Sequence, residues 1–183
     1  MMTAPSMPRI VPLLVLLLLG YCVSGCGYHP LTSTVVHDAR PVKSIYIPVF
    51  VNRSYRATLE AFLANSITEQ FARRRGEWRI AGEGAEYLLS GVIISYDLIP
   101  VAYNYRNVLQ LETVAEYRAS ITTEITLKKS GSRDIIWKRR LSLYQNFPAN
   151  SDIAIQQNSE DAAIQEVCQK LAQDIYVSLS DDF

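Results

Sequence analysis

The sequence predicts an α+β fold, a four-stranded mixed sheet with two helices packed on one face, in the order β-α-β-β-β-α. Three observations predict it. Two stretches repeat apolar side chains at helical spacing. Thr113 to Leu127 alternates strictly between apolar and polar residues, as a half-buried strand must. A glycine-bearing turn then joins that strand to another whose apolar side can match it. Two helices laid on one face of a sheet let every element bury its apolar side.

The elements follow in order within a single expected domain, residues 43–183. The run Ser44-Ile45-Tyr46-Ile47-Pro48-Val49-Phe50 is β-branched and aromatic, so it reads as a strand. Its continuous apolarity points to burial on both faces or to a place inside the sheet. The first helix is expected from about Ser54 to Arg75, with Leu59, Phe62, Leu63, Ser66, Ile67, Gln70 and Phe71 along one side. A side-chain oxygen of Asn52 or Ser54 can cap its start. Arg73, Arg74 and Arg75 suit the negative end of the helix dipole, and Gly76 is expected to supply a left-handed stop.

Three strands are expected next, at Glu86 to Asp97, Thr113 to Leu127 and Ile135 to Gln145. With the turn centred on Gly131, Ile125 faces Trp137, Ile121 faces Leu141 and Glu124 faces Lys138. Apolar sets then fall on one side and an ion pair on the other, with Arg139 the exception on the inner side. The last helix is expected from near Asn158 to about Ser180. Its stripe is Ile164, Val167, Cys168, Leu171, Ile175 and Leu179, with Glu160 and Asp161 favouring its positive end.

Ahead of the domain, Arg9 precedes the apolar run Ile10 to Gly20. That run fits a signal-peptide core and is shorter than the ~20 apolar residues of a relaxed membrane span. Met1, Met2 and Met7 can each start it. Val23-Ser24-Gly25-Cys26 is an aliphatic residue, two small residues and a cysteine, the lipobox pattern of bacterial lipoproteins. Small residues pass the peptidase cleft, and the free thiol takes a thioether to diacylglycerol. Residues 1–25 are therefore expected to be a signal peptide, Cys26 the lipidation site, and residues 26–42 a lipidated tether. Cys22 is a poorer candidate because bulky Tyr21 precedes it; an ordinary secretory signal with an incidental cysteine is the plainer alternative. Gly27 in place of Asp after the cysteine favours the outer membrane, on the periplasmic side.

Charge and chemistry exclude several classes. The chain has 18 basic and 18 acidic side chains. Losing Arg9 with the signal leaves the rest about one unit acidic, without the basic excess a general nucleic-acid binder needs. Hydrophobic residues make up 49%, enough for a core even without the leader. With Cys22 removed and Cys26 acylated, Cys168 has no disulfide partner and reads as a small buried hydrophobe. His29 and His37, the two histidines, both lie in the tether. A Ser-His-Asp or Cys-His centre needs a histidine in the domain. Metal-ligand spacing is absent too. The expectation is therefore no enzyme, no cofactor and no metal.

Two features are candidates for binding. The hairpin carries Lys128, Lys129 and Arg133 at its tip and Lys138 and Arg140 behind. Read blandly, these cations keep an edge soluble; read sharply, they bind anions such as phosphate. The segment Tyr96 to Gln110, with Tyr96, Tyr103 and Tyr105, either extends the strands into a long hairpin or marks a protein interface.

Taken in order, several pieces resemble one family. They are Cys26-Gly27-Tyr28-His29, the Ile45 to Phe50 strand followed by Asn52-Arg53-Ser54 and Leu59-Glu60, then Glu86-Tyr87-Leu88-Leu89-Ser90-Gly91, and Glu116-Tyr117-Arg118. This set resembles the lipopolysaccharide-assembly lipoproteins, the LptE family, over nearly the whole chain after the leader. Glu86 stands where members often have Asp. The resemblance implies an outer-membrane lipoprotein that sits within the β-barrel LptD, assists its assembly and binds lipopolysaccharide, with the basic hairpin a candidate for the phosphates. The rival expectation is an envelope lipoprotein of structural or secretion type without that ligand.

Overall fold

A computed structural model describes residues 42–182 except 75, 77 and 107–110; of 105, 106, 111 and 112 it describes the backbone alone. The chain divides into a unit Met1–Asp38 and a unit Ala39–Phe183, and the described residues belong to the second. The expected signal peptide, Cys26 and nearly all of the tether lie outside them.

The elements are β1 (Lys43–Tyr46), β2 (Val51–Asn52), α1 (Leu59–Arg73), β3 (Trp78–Ile80), β4 (Tyr87–Arg106), β5 (Leu111–Lys129), β6 (Ile135–Pro148) and α2 (Ile153–Asp182). The α+β class, the two helices and the mixed sheet are as expected, but the sheet has six strands rather than four. Its order is β3-β1-β4-β5-β6, and β2 also pairs with β4. β3, three residues long, is too short to leave a periodic signal. β2 arises because the expected strand at 44–50 breaks: β1 runs parallel to β4 at Tyr87–Leu88, and β2 resumes beside it at Val92–Ile93. Pro48 sits in the gap and has no N–H for a ladder. The break turns Phe50 into the core over Gly91, where any Cβ would run into the Phe50 ring.

One face of the sheet is apolar. Ala119, Ile121, Thr123, Ile125 and Leu127 of β5 are buried in strict alternation, with Leu89 and Ile93 of β4 and Trp137 and Phe147 of β6 beside them. Against this face lie Leu59, Leu63, Ile67 and Phe71 of α1 and the full expected stripe of α2, Ile164, Val167, Cys168, Leu171, Ile175 and Leu179. Arg139, the cation on this side, reaches the end of α2, donating to Ser178 Oγ at 2.8 Å; Trp137 Nε1 donates to Asp182 at 2.7 Å. The other face carries a hydroxyl ladder, Ser90 with Thr126 at 2.9 Å and Thr122 with Ser142 at 3.0 Å.

Several local expectations are corrected. The hairpin register is two residues away from the one predicted: Leu127 faces Trp137, Ile121 faces Leu143 and Glu124 faces Arg140. The turn is asymmetric. Ser132 N donates to Lys129 O, Gly131 takes φ 79°, and a register shift follows between Leu127 and Lys128. A slip of two preserves each side chain's face, so Lys138 still meets Glu124, diagonally, at 2.8 Å.

Helix α1 starts at Leu59, capped by neither Asn52 nor Ser54. Its N-cap is Thr58 at φ 71°, without a side-chain cap hydrogen bond. Asn52 instead ties the preceding loop: its Oδ1 accepts from Ser54, and its Nδ2 donates to Arg56 O and Glu60 Oε2. Gly76 is not a left-handed stop; it leaves room for the Tyr176 hydroxyl, which a Cβ would strike. Helix α2 begins at Ile153, where Asp152 Oδ1 accepts from Ala154 N and Ile155 N. Glu160 and Asp161 are thus well inside the helix and do other work.

Candidate functional site

The basic hairpin is built where β4, β5 and β6 meet. Lys128 pairs across with Leu88 and with Ile135, and Lys129 with Tyr87. Ser130 N donates to Glu86 O at 2.8 Å, which anchors the turn to the start of β4. Alternation puts Lys128, Lys138 and Arg140 on the hydroxyl-bearing face, which neither helix covers. Lys129 and Arg133 flank the turn itself. Lys129, Arg133, Lys138 and Arg140 are exposed and Lys128 is half-buried. Only Lys138 among the five has an ion pair within 4 Å in the described residues, with Glu124. The other four keep their donors toward solvent, where an anion can approach. The arrangement can hold phosphate groups by charge-assisted hydrogen bonds.

The tyrosine segment resolves into the long hairpin. β4 runs on to Arg106 and β5 begins at Leu111, paired from Tyr105–Glu112 inward past irregularities around Pro100 and Ala102. Tyr103 is 46% exposed, and the side chain of Tyr105 lies outside the described residues. Tyr96 does not belong with them. It is 1% exposed, so it has no free surface to offer a partner. The cause is a bulge between Ile93 and Ser95: Ser95 faces Thr122 on the polar side, and Tyr96 turns inward opposite Ile121. Alternation alone cannot reveal an extra residue of this kind.

What Tyr96 does is join three elements. Its hydroxyl donates to Glu160 Oε1 at 2.8 Å, Glu160 pairs with Arg56 at 3.5 Å, and Arg56 donates to Asp161 at 2.6 Å. Burial, and then the hydrogen bond to Glu160, push the Tyr96 phenol well above its ordinary value. Burial pulls the Arg56 pKa down, but the hydrogen bond to Asp161 and the charges of Glu160 and Asp161 outweigh it, so the guanidinium stays charged. Tyr55 lies edge-on against Tyr96 with ring centroids 5.5 Å apart. The cluster is a structural fastening between the loop before α1, β4 and α2. Acidic residues in mid-helix opposite a lone Arg56 are the signal that sequence reasoning passed over.

Among the described residues no group of three or more His, Cys, Asp and Glu side chains is placed to hold a metal ion, and no helix is long and apolar enough to cross a membrane.

Comparison with known proteins was made against this geometry. A family model described as LptE, lipopolysaccharide-assembly, matches residues 42–179. No curated protein matches the chain. Among solved structures, a hypothetical protein from Chlamydia trachomatis is similar at a TM-score of 0.53 and 11% identity, covering 75% of this chain and 95% of that one; this likeness shows the fold. A minor lipoprotein from Acinetobacter baumannii has a TM-score of 0.48 and 15% identity, over 77% of this chain and 92% of that one. The rare lipoprotein B from Shewanella oneidensis has 0.47 and 13%, over 73% and 94%.

Proposed function

The chain belongs to the lipopolysaccharide-assembly family, LptE, and from that premise we propose that it is an outer-membrane lipoprotein, lipid-anchored through Cys26 on the periplasmic side, that assists the barrel LptD and binds lipopolysaccharide on its way to the outer leaflet. The role is one of binding, not catalysis. The observation that carries the reading is the basic corner in a chain of this family. Lys128, Lys129, Arg133, Lys138 and Arg140 gather at one end of a sheet face that the helices leave open. Lipid A phosphates supply the anion that such donors bind.

The experiment is the triple variant Lys128→Glu, Lys129→Glu, Arg133→Glu. These residues lie at a turn away from the core, so circular dichroism is expected to match the parent. A charge-assisted hydrogen bond contributes roughly 1.5–3 kcal/mol, so affinity for purified lipopolysaccharide is expected to fall tenfold or more and to lose salt sensitivity. Unchanged affinity would leave the corner as a solvated edge. The anchor is tested by palmitate labelling, which Cys26→Ala should abolish. The partner is tested by photocrosslinkers at Tyr103 or Tyr105, which should capture the barrel.

A further inference from the structure

The two edges of the sheet are made differently. β3, at one edge, is three residues long and offers little backbone to pair with. β6, at the other, has 14 residues and spans about 45 Å. It pairs only with β5 among the described residues. No bulge lies within it, since the one irregularity of the β5–β6 pair falls at Leu127/Lys128 and Pro comes only at its last position. Alternate residues of an edge strand point their N–H and C=O groups outward, so this edge is an open template for another strand.

The side chains along it have a pattern. On the helix-free face the row reads Ile136, Lys138, Arg140, Ser142, Tyr144. Ile136 is 42% and Tyr144 55% exposed, so the row has an apolar residue at each end and two cations near the middle. Lys138 is engaged by Glu124. Arg140, although it faces Glu124 across the ladder, has no ion pair within 4 Å in the described residues.

That pattern decides between occupants. A second copy pairing antiparallel on β6, with Ile136 set against Tyr144, has its two-fold axis on residue 140. Arg140 would then oppose Arg140, and like charges directly opposite destabilise a strand pair. A strand from another protein with a carboxylate at that position turns the same contact into attraction. We infer that the outer edge of β6 is a strand-addition site for an acidic extended segment of a partner protein, with carboxylates set against Arg140 and Lys138 and apolar residues against Ile136 and Tyr144. Main-chain hydrogen bonds supply affinity and the side-chain row supplies choice of partner.

The test uses the full lipidated chain in detergent and three synthetic peptides of about nine residues, the span from Ile136 to Tyr144. The first carries Glu opposite Lys138 and Arg140 and Leu opposite Ile136 and Tyr144. The second has Lys for Glu. The third is the first with N-methyl groups on the amides that face β6. Fluorescence anisotropy at physiological salt is expected to show the acidic peptide binding roughly tenfold or more tighter than its lysine twin. N-methylation should abolish binding, and Arg140→Glu should invert the preference while circular dichroism stays unchanged. No binding by the acidic peptide, or equal binding of the acidic and lysine peptides, overturns the inference. Undiminished binding of the N-methylated peptide does so too, since it would reduce the contact to charge alone. A stable dimer of the parent by sedimentation equilibrium, unaffected by Arg140→Glu, would show the edge closed by a second copy and also overturn it.

Discussion

The two faces of the sheet are made by the same strands from alternate residues, yet they are held by different forces. On β5, Ile121, Ile125 and Leu127 point to one side and are fully buried, while Thr122, Glu124 and Thr126 point to the other and stay half-exposed. The inner face is stabilised by area removed from water, close to 25 cal/mol per Å², and by the shape match with α1 and α2. The outer face has only cross-strand hydroxyl pairs and an ion pair in solvent. Stability is therefore concentrated on one side, and the other is left free to carry charge.

Four measurements sharpen that contrast, taken from the largest expected effect to the smallest. Ile125→Ala removes a buried side chain and leaves a cavity, so the denaturant midpoint should fall by an amount equal to about 2–5 kcal/mol. Thr126→Ala, one residue along and facing outward, should cost under about 1 kcal/mol; similar losses at the two positions would break the comparison.

Tyr96→Phe comes next. It deletes a hydroxyl that donates to Glu160, and a hydrogen bond to a charged group contributes roughly 1.5–3 kcal/mol. Hydrogen exchange should speed up in the loop before α1 and around Glu160, leaving the β5–β6 hairpin unchanged. Uniform acceleration would show that the cluster is not a local fastening.

Cys168 gives a pH dependence of about 1 kcal/mol. Burial pushes its thiol up to about 12, from an ordinary value of 9.0. The folded protein holds that proton more tightly than the unfolded chain. Its contribution is full below about pH 9 and is lost as the pH rises toward 12. Urea midpoints should decline across that window, and Cys168→Ala should make the decline shallower; Tyr96 adds to the same trend with the same sign. A midpoint that rises with pH there would contradict the burial of both groups.

The smallest effect is expected from the exposed ion pair. Lys138 and Glu124 are 50% and 37% exposed as side chains, and such pairs contribute about 0–1 kcal/mol. A double-mutant cycle, Lys138→Ala with Glu124→Ala, should return a coupling at or below about 0.5 kcal/mol that vanishes in high salt.

Much of this division was legible in the chain. The stripes of both helices and the alternation of β5 came straight from periodicity, because a residue's face follows from the helix or strand repeat alone. The basic corner was legible for the same reason: a register error of two residues moves every partner and no face. By itself, then, the sequence determined the fold class, which residues are core, and which side carries the cations.

Only the tertiary structure decided the rest. It split the first strand at Pro48 so that Phe50 could lie over Gly91, and it added β3, whose three residues pair only because β1 stands beside them. It placed Thr58 at the start of α1 with a left-handed backbone that no local preference of a β-branched residue would choose. It inserted the bulge before Ser95 that sends Tyr96 inward to Glu160. It also left β6 at an outer edge, with Arg140 pointing away from the core. Each of these depends on a neighbour distant in sequence. Local propensity differs by about 1 kcal/mol or less per residue, and the packing of a buried ring or a buried hydroxyl outweighs it.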